Sequence, residues 1–392
     1  MSVTRFISSK LIKSPSSGKM SRTSNIIAVV SVCVSFAVMI AAVAIVAGFK
    51  SEIRSKITGF MGSVTLTQPG MSAVNETHPF CDSLSYQGLI DSLPGVESVS
   101  GAAYRSGLVK TADNIEGLCF KGVERDGDIN DVTISSSIAR KLRLSVGDPL
   151  QVYFIGDEVK VRKFKVAGFQ DAGLEEIDDK FAYVDIRQIR RINGWGPDDV
   201  SSIEIRLDAG ADVDRIVEKI TEIEAYRSQP FDAPLFVTPV RRYYSHLYDW
   251  LALLDLNVLM ILVLMIVVAG FNMISAALII LFEKISMIGL LKSLGMTSRQ
   301  VGRVFLMQSA SIVGKGLLLG NVLGIGLCLI QRYTHLIRLD ASNYFVDHVP
   351  VSLDFWQILL MDAAAFAAIM LIVSLSSRFV ARISPDRTLK VE

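Results

Sequence analysis

The chain has 392 residues, of which 51% are hydrophobic and 20% charged, with a formal charge of +1 and a mean hydropathy of +0.42. That apolar content exceeds a soluble globular norm, yet the charged fraction is too high for a chain buried wholly in lipid, so membrane and aqueous parts are both expected. The balanced charge carries no hint of a nucleic-acid partner, and none is expected.

Residues 1–25 carry Arg5, Lys10, Lys13, Lys19 and Arg22 without an acid, and the apolar run 26–48 follows. A signal peptide has an apolar core of about 7–15 residues, whereas spanning a bilayer takes about 20, so the run reads as an uncleaved anchor with its basic flank in the cytoplasm. Three more apolar runs follow at 251–282, 304–330 and 355–380. The 283–303 connection has Lys284, Lys292, Arg299 and Arg303 against Glu283, and the C-terminal end carries Arg378, Arg382, Arg387 and Lys390. The 331–354 loop instead sets Arg332 and Arg338 against Asp340, Asp347 and Asp354. Four spans with both termini inside satisfy this asymmetry and put 49–250 and 331–354 on the outer side.

Roughly 200 residues in the 49–250 segment are enough to bury a core. Residues 50–57 read as a helical continuation of the first span and 241–250 as a matching helical stalk. Val64 and Leu66 alternate with polar neighbours, as in a half-buried strand. A helix over 86–93, stopped by Pro94 and Gly95, and a strand over 96–102 complete a strand, helix, strand unit. A second unit is expected from a strand at 202–207, a helix at 212–226 and a strand at 234–238. Between them 107–110, 115–123, 150–155, 159–169 and 181–186 are β-rich, with a short helix at 135–142. The expected fold is an α-helical membrane protein with four transmembrane helices and a large α+β domain, a split α/β subdomain holding an inserted β subdomain.

The segment 283–303, between the second and third apolar runs, has Ile285, Ile288, Leu291 and Leu294 at helical spacing with Met287 and Leu290 beside them. Gly295 then supplies a left-handed helix stop, and Thr297 with Gln300 forms a capping-box pair for a restarted helix. Periodicity leaves two readings, an interfacial connector or a docking helix. The string FEKISMIGLLKSLGMTSRQVGRVFLMQS resembles the coupling segment of ABC-transporter permeases of the MacB/FtsX superfamily. The stretches NYFVDHVPVSLDFW (343–356) and SPDRTLKVE (384–392) resemble the lipoprotein-releasing LolC/LolE permease family, and SSSIARKLRLSVGDPLQV resembles the MacB-like periplasmic core domain.

That resemblance implies a permease subunit of a lipoprotein-releasing complex, multi-pass in a bacterial inner membrane with its large domain in the periplasm. It implies no catalytic, cofactor or metal residue in this chain, with ATP and Mg carried by a separate, LolD-like ATPase dimer. Glu283, Ile285, Met287, Ile288, Gly289, Leu291, Lys292, Leu294 and Gly295 would contact that ATPase. A second permease, identical or homologous, and a lipoprotein substrate complete the implied assembly. The stripe Phe36, Met39, Val43 and Val46, with Asp255 and Asn257, would line an acyl-chain path. The 155–159 connection is hairpin-sized, without the chaperone-binding hook of LolC-like members, which argues against direct recruitment of a periplasmic lipoprotein chaperone and for a LolE-like role. An FtsX-like signal transmitter and a MacB-like efflux permease are the alternatives. The former fits poorly with the two-part outer domain, and the latter usually carries a fused ATPase, for which 1–25 leaves no room.

Other chemistry finds little support. No Walker A pattern, zinc-protease helix or nucleophile elbow occurs, and His78, His246, His335 and His348 are scattered. Cys33 and Cys328 lie in apolar runs, while spacing leaves the pairing of Cys81 with Cys119 open. Gly316, Gly320 and Gly324 line one helix face and predict close helix packing. Lys315, Asp255, Asn257 and Asn272 are polar residues within or beside spans, to be explained either by interhelical contacts or by a polar cavity edge.

Overall fold

The computed structural model describes residues 19–69, 78–111, 114–156, 158–208, 210–230, 232–283, 285–340, 344 and 346–380; the side chains of 19–24, Leu281, Ser286, Ile288, Leu291 and 376–380 lie outside that description. The elements run α1 (Lys19–Met61), β1 (Val64–Thr67), β2 (Phe80–Cys81), α2 (Gln87–Asp91), β3 (Val96–Lys110), β4 (Ile115–Val123), β5 (Asp131–Ile134), α3 (Ser136–Leu142), β6 (Pro149–Phe154) and β7 (Lys160–Phe169). They continue with α4 (Glu175–Asp178), β8 (Phe181–Asp185), α5 (Ile186–Asn193), β9 (Asp199–Val200), β10 (Ser202–Leu207), α6 (Val213–Arg227), β11 (Phe236–Pro239), α7 (Ser245–Glu283), α8 (Ile285–Ser293), α9 (Ser298–Thr334) and α10 (Phe355–Val380). Contacts divide the chain into a helical unit, 1–50 with 251–338 and 349–392, and an α+β unit, 51–250 with 339–348.

In the α+β unit four strands pair antiparallel in the order β11-β1-β10-β3, the order of a ferredoxin-like split βαβ sheet. Ile90 of α2 and Ile216 and Ile220 of α6 bury against it. The connection from β3 to β10 holds the inserted β subdomain, which closes into a barrel, β3-β4-β8-β5-β7-β6 and back to β3 through Leu108 opposite Tyr153 and Val109 opposite Val152. Its interior is packed by Phe120, Phe154 and Phe164, with ring centroids 5.3–6.3 Å apart. A Cβ on Gly107 would stand 2.8 Å from Val152 Cγ1 and 2.9 Å from Phe154, so glycine there makes room for the aromatic core.

Three local readings need correction. Residues 96–102 and 107–110 form one strand, because 103–106 keep pairing with β4 while 96–102 pair with β10, so β3 belongs to both subdomains. Strand β1 is buried at all four positions instead of half-buried, since β10 and β11 flank it and Thr65 Oγ1 is enclosed by the Thr238 carbonyl and the Tyr243 hydroxyl. The expected stalk 241–250 begins as a 3-10 turn, Val240–Arg242, and is α-helical only from Ser245. Helix α5 was not anticipated; Asp185 ends β8 and caps α5, its carboxylate accepting from the Arg187 backbone N–H at 2.8 Å.

The helical unit contains α1 up to Lys50, most of α7, and α8, α9 and α10. Four helices, α1, α7, α9 and α10, are long and apolar enough among the described residues to cross a membrane. Phe36 and Met39 of α1, Ala269 and Met273 of α7, Ile312 and Val313 of α9 and Ile369 of α10 share one buried cluster. Gly316, Gly320 and Gly324 lie against α1: a Cβ at 320 would come within 2.7 Å of the Cys33 carbonyl oxygen and of Phe36 Cβ. Without side chains there, the two backbones approach closely enough to recover the dispersion contacts that replace a hydrophobic drive in lipid. The connection from α9 to α10 is tied by Gln331, whose Nε2 donates to the Ile337 and Val349 carbonyls and whose Oε1 accepts from the Ile337 N–H.

Candidate coupling segment and membrane seam

Helix α8 begins at Ile285, just beyond the end of α7, and carries the apolar residues of the coupling segment. It ends at Ser293, whose hydroxyl donates to the Leu290 carbonyl at 2.7 Å. Gly295 follows at φ +93°, a left-handed conformation that costs an L side chain energy. Thr297 then caps α9: its Oγ1 accepts from the Gln300 N–H, while the Gln300 side chain accepts from the Thr297 N–H at 2.9 Å. The chain therefore makes a sharp reversal between two helices. Leu290 and Leu294 are 63% and 77% exposed, Glu283 is exposed, and Ile285, Met287, Gly289 and Lys292 are half-buried. Side chains of Ile288 and Leu291 lie outside the described set, as does Lys284. Two nearly bare leucines beside a rigid turn form an apolar edge that this chain leaves uncovered among its described residues.

The second feature is the seam between α1 and α7. From 252 to 268 no α7 residue is buried, and Leu253, Leu256, Leu259, Met260, Val263 and Leu264 are all more than half exposed. The half-buried Leu262, Met265 and Ile266 pack against the bundle within that stretch, and below it α7 joins the bundle through Ala269, Met273, Ala276 and Ile280. Within the helical unit two hydrogen-bonded contacts connect α1 with α7 among the described residues. Lys50 Nζ donates to both carboxylate oxygens of Asp255, at 2.7 and 2.9 Å, and Asn272 Nδ2 donates to Ser31 Oγ. At 1.5 Å per residue, Ser31 and Lys50 lie ~28 Å apart along α1 and Asp255 and Asn272 ~26 Å along α7, close to the ~30 Å of a hydrocarbon core. The two contacts thus stand near opposite ends of the span.

The expected acyl-chain residues do not share one surface. Phe36 and Met39 are fully buried inside the bundle, Phe36 under Gly320 of α9 and Met39 within the shared helical cluster. Val43 and Val46 are half-buried, Asn257 is exposed, and Asp255 is taken up by Lys50. Lys315 is exposed on α9. Sequence reasoning overlooked Lys50, whose only signal was its place at the end of an apolar run. It also passed over Asp362, an acid inside the last apolar run, which is 8% exposed and accepts from Asn321 Nδ2 at 2.7 Å.

In the α+β unit the main buried charge is equally long-range. Lys121 of β4 donates to Glu204 Oε2 of β10 at 2.7 Å and to the Phe60 carbonyl at the end of α1, and the Tyr104 hydroxyl donates to Glu204 Oε1. Burial first, then the neighbouring Glu204 carboxylate, holds the Tyr104 phenol well above its usual range. Cys119 is a buried thiol pushed up to about 12 by burial, Cys81 is an exposed one, and the two are not joined in a disulfide. No group of three or more side chains suited to a metal ion occurs among the described residues.

Two family models match the chain, the MacB-like periplasmic core domain over residues 26–223 and the FtsX-like permease C-terminal domain over 259–385. The chain belongs to the MacB/FtsX family of ABC-transporter permeases. This permease is similar to the lipoprotein-releasing system transmembrane protein LolC of Xylella fastidiosa, at 21% identity over 93% of each chain. It is likewise similar to the LolE protein of Haemophilus influenzae, at 22% identity over 92% of each. The periplasmic region of MacB from Actinobacillus actinomycetemcomitans aligns with 49% of this chain and 96% of its own at 11% identity and a TM-score of 0.31. The permease is thus a four-helix membrane protein whose α+β unit is a MacB-like periplasmic domain.

Proposed function

We propose that this permease is the membrane subunit of a lipoprotein-releasing complex, drawing acylated proteins from the outer leaflet of a bacterial inner membrane for sorting to the outer membrane. It works with a second permease, identical or homologous, and a separate cytoplasmic ATPase dimer that holds ATP and Mg and grips 283–295. The basic residues of 283–303 support a cytoplasmic location for that segment, within reach of the ATPase. Full-length similarity to proteins named LolC and LolE supports lipoprotein as cargo.

The observation that carries this reading is the largely exposed stretch 252–268 of α7. An apolar helix with no fully buried residue over 252–268, where only Leu262, Met265 and Ile266 pack partly against the bundle, turns the rest of that stretch to acyl chains or another apolar surface, and a pair of such permeases would enclose a greasy space between them. The energetics require such a space. Each methylene moved into water costs roughly 0.8 kcal/mol, so a multiply acylated anchor cannot leave the bilayer unshielded.

Photo-crosslinking tests the proposal. A photoreactive residue at Met260, 71% exposed, should capture the acyl part of a lipoprotein in the assembled complex, and one at Ala269, fully buried, should not. Capture of lipoprotein at neither position, with the ATPase bound and active, would remove lipoprotein as the cargo.

A further inference from the structure

The barrel is joined to the split βαβ sheet along one edge. It leaves through β3 and returns through α5 and β9 to β10, and β3 and β10 are neighbours in that sheet. Two connections side by side form a hinge line, so the angle of the barrel is set by whatever else holds it. The outer ends of α1 and α7, residues 51–61 and 245–250, belong to the same unit and attach to the other two strands, α1 leading into β1 and β11 leading to α7.

One turn of the barrel reaches both helices. Between β7 and β8 the Gly173 carbonyl accepts from Lys56 Nζ of α1 at 3.2 Å, and Glu176 Oε1 lies 2.8 Å from His246 Nε2 of α7. The turn is built to keep its shape. The Asp178 carboxylate accepts from the backbone N–H groups of Ala172, Gly173 and Leu174 at 2.6–3.2 Å, Asp171 accepts from the Ser136 N–H at 2.7 Å, and Leu174 and Ile177 are each 1% exposed. Backbone donors gathered on one aspartate hold a turn in a single conformation. Beside it Phe60 of α1 packs on Phe181 and Tyr183 of β8, with ring centroids 4.6 and 6.1 Å away.

We propose that the turn 172–178 is the joint through which the barrel follows the outer ends of α1 and α7, with Glu176 and His246 as the positioning residues that make α7 carry it. The joint rests on the reading of this chain as an ATP-driven permease and deepens it by naming where a displacement of α7 is handed to the barrel. The His246–Glu176 pair is the part that can be broken without unfolding, because its side chains are 58% and 36% exposed. Such a pair contributes little to stability, but on a turn held this firmly it decides the angle of the barrel.

Spin-label distances in the complete complex with its ATPase test the joint. With Cys33, Cys81, Cys119 and Cys328 replaced by alanine or serine, labels at Val146→Cys on the barrel and Asp249→Cys on α7, both exposed, should give one narrow distance, the same without nucleotide and with ATP and vanadate. His246→Glu sets two carboxylates against each other; it should broaden that distribution and make it shift with nucleotide, and adding Glu176→Lys should restore it. His246→Gln, which keeps a donor for Glu176, should behave as wild type. Lipoprotein release per ATP hydrolysed in proteoliposomes should fall in His246→Glu and recover in the double variant, with thermal unfolding of the permease unchanged and Glu175→Lys silent. A distance that shifts with nucleotide while His246 and Glu176 are intact, a narrow constant distance in His246→Glu, or undiminished release in that variant would overturn the joint. Distances as expected, with no ATP-dependent release from the unsubstituted complex, would leave the joint standing and count against lipoprotein as the cargo.

Discussion

At the scale of single residues, Lys121 shows how a buried charge is made tolerable. Its ammonium has left water, with the side chain 4% exposed, and is compensated by the Glu204 carboxylate, by the last turn of α1 through the Phe60 carbonyl, and by the Phe60 ring 4.7 Å away. A cation at a helix C-terminus meets carbonyls that have no partner within the helix. Removing one partner leaves the other charge buried alone, which costs about 3–5 kcal/mol, whereas replacing both with apolar groups is often neutral. Lys121→Met should therefore destabilise the α+β unit strongly, and Lys121→Met with Glu204→Leu should recover most of the loss in denaturant unfolding. Asp185 behaves differently with pH. Burial pushes its carboxyl up, but the Arg187 side chain and N–H more than reverse this and hold it below the usual range. A depressed folded pKa gives stability that is complete above the unfolded value of about 3.9 and is lost as pH falls through the folded value. Asp185→Ala should cost about 1 kcal/mol at neutral pH through the lost cap, with the difference from wild type closing in acid, as read by thermal unfolding against pH. Neither partnership was legible in the sequence to the same degree. Asp185 and Arg187 are two residues apart, while Lys121 and Glu204 are separated by 83 positions that only the sheet brings together.

Among the elements, α8 and its flanks were the most legible, because helix periodicity, a glycine stop and a capping box are all local signals. The barrel was less so. Its strands could be read one by one, but its closure depends on β3 meeting β6, and the double duty of β3 depends on partners at both ends of the domain. The apolar stripe on α1 is visible in the sequence, but not which of its residues meet other helices: Phe36 packs under a glycine-lined face of α9 whose position the local pattern does not encode. The exposure of α8 yields a test free of folding artefacts. Leu290 is 63% exposed, so Leu290→Asp should change the permease's own stability by no more than about 0.5 kcal/mol, yet it sets an unpaired charge in any apolar interface formed there. Co-purification of the ATPase should be lost in Leu290→Asp and in Gly295→Val, the second because a β-branched residue resists φ +93° and redirects α9. Undiminished ATPase binding by Leu290→Asp would return the segment to the role of a simple interfacial connector.

On the scale of the whole molecule, the basic-residue asymmetry, the four apolar runs and the length of the aqueous segment were enough to anticipate a membrane protein with one large external domain. The cargo was not legible in that way, because acyl chains are recognised by apolar surface, and apolar surface on a span looks the same whether it meets lipid, a partner or a substrate. We propose that this permease converts ATP hydrolysis by a partner into movement of an acylated protein. The most direct measurement is transfer of a lipoprotein from proteoliposomes containing the permease pair and its ATPase to a soluble acceptor, with an unacylated copy of the same protein as control. ATP-dependent transfer of the acylated form, abolished by Leu290→Asp, is the expected result; ATP hydrolysis by an intact complex that transfers no acylated protein would contradict it.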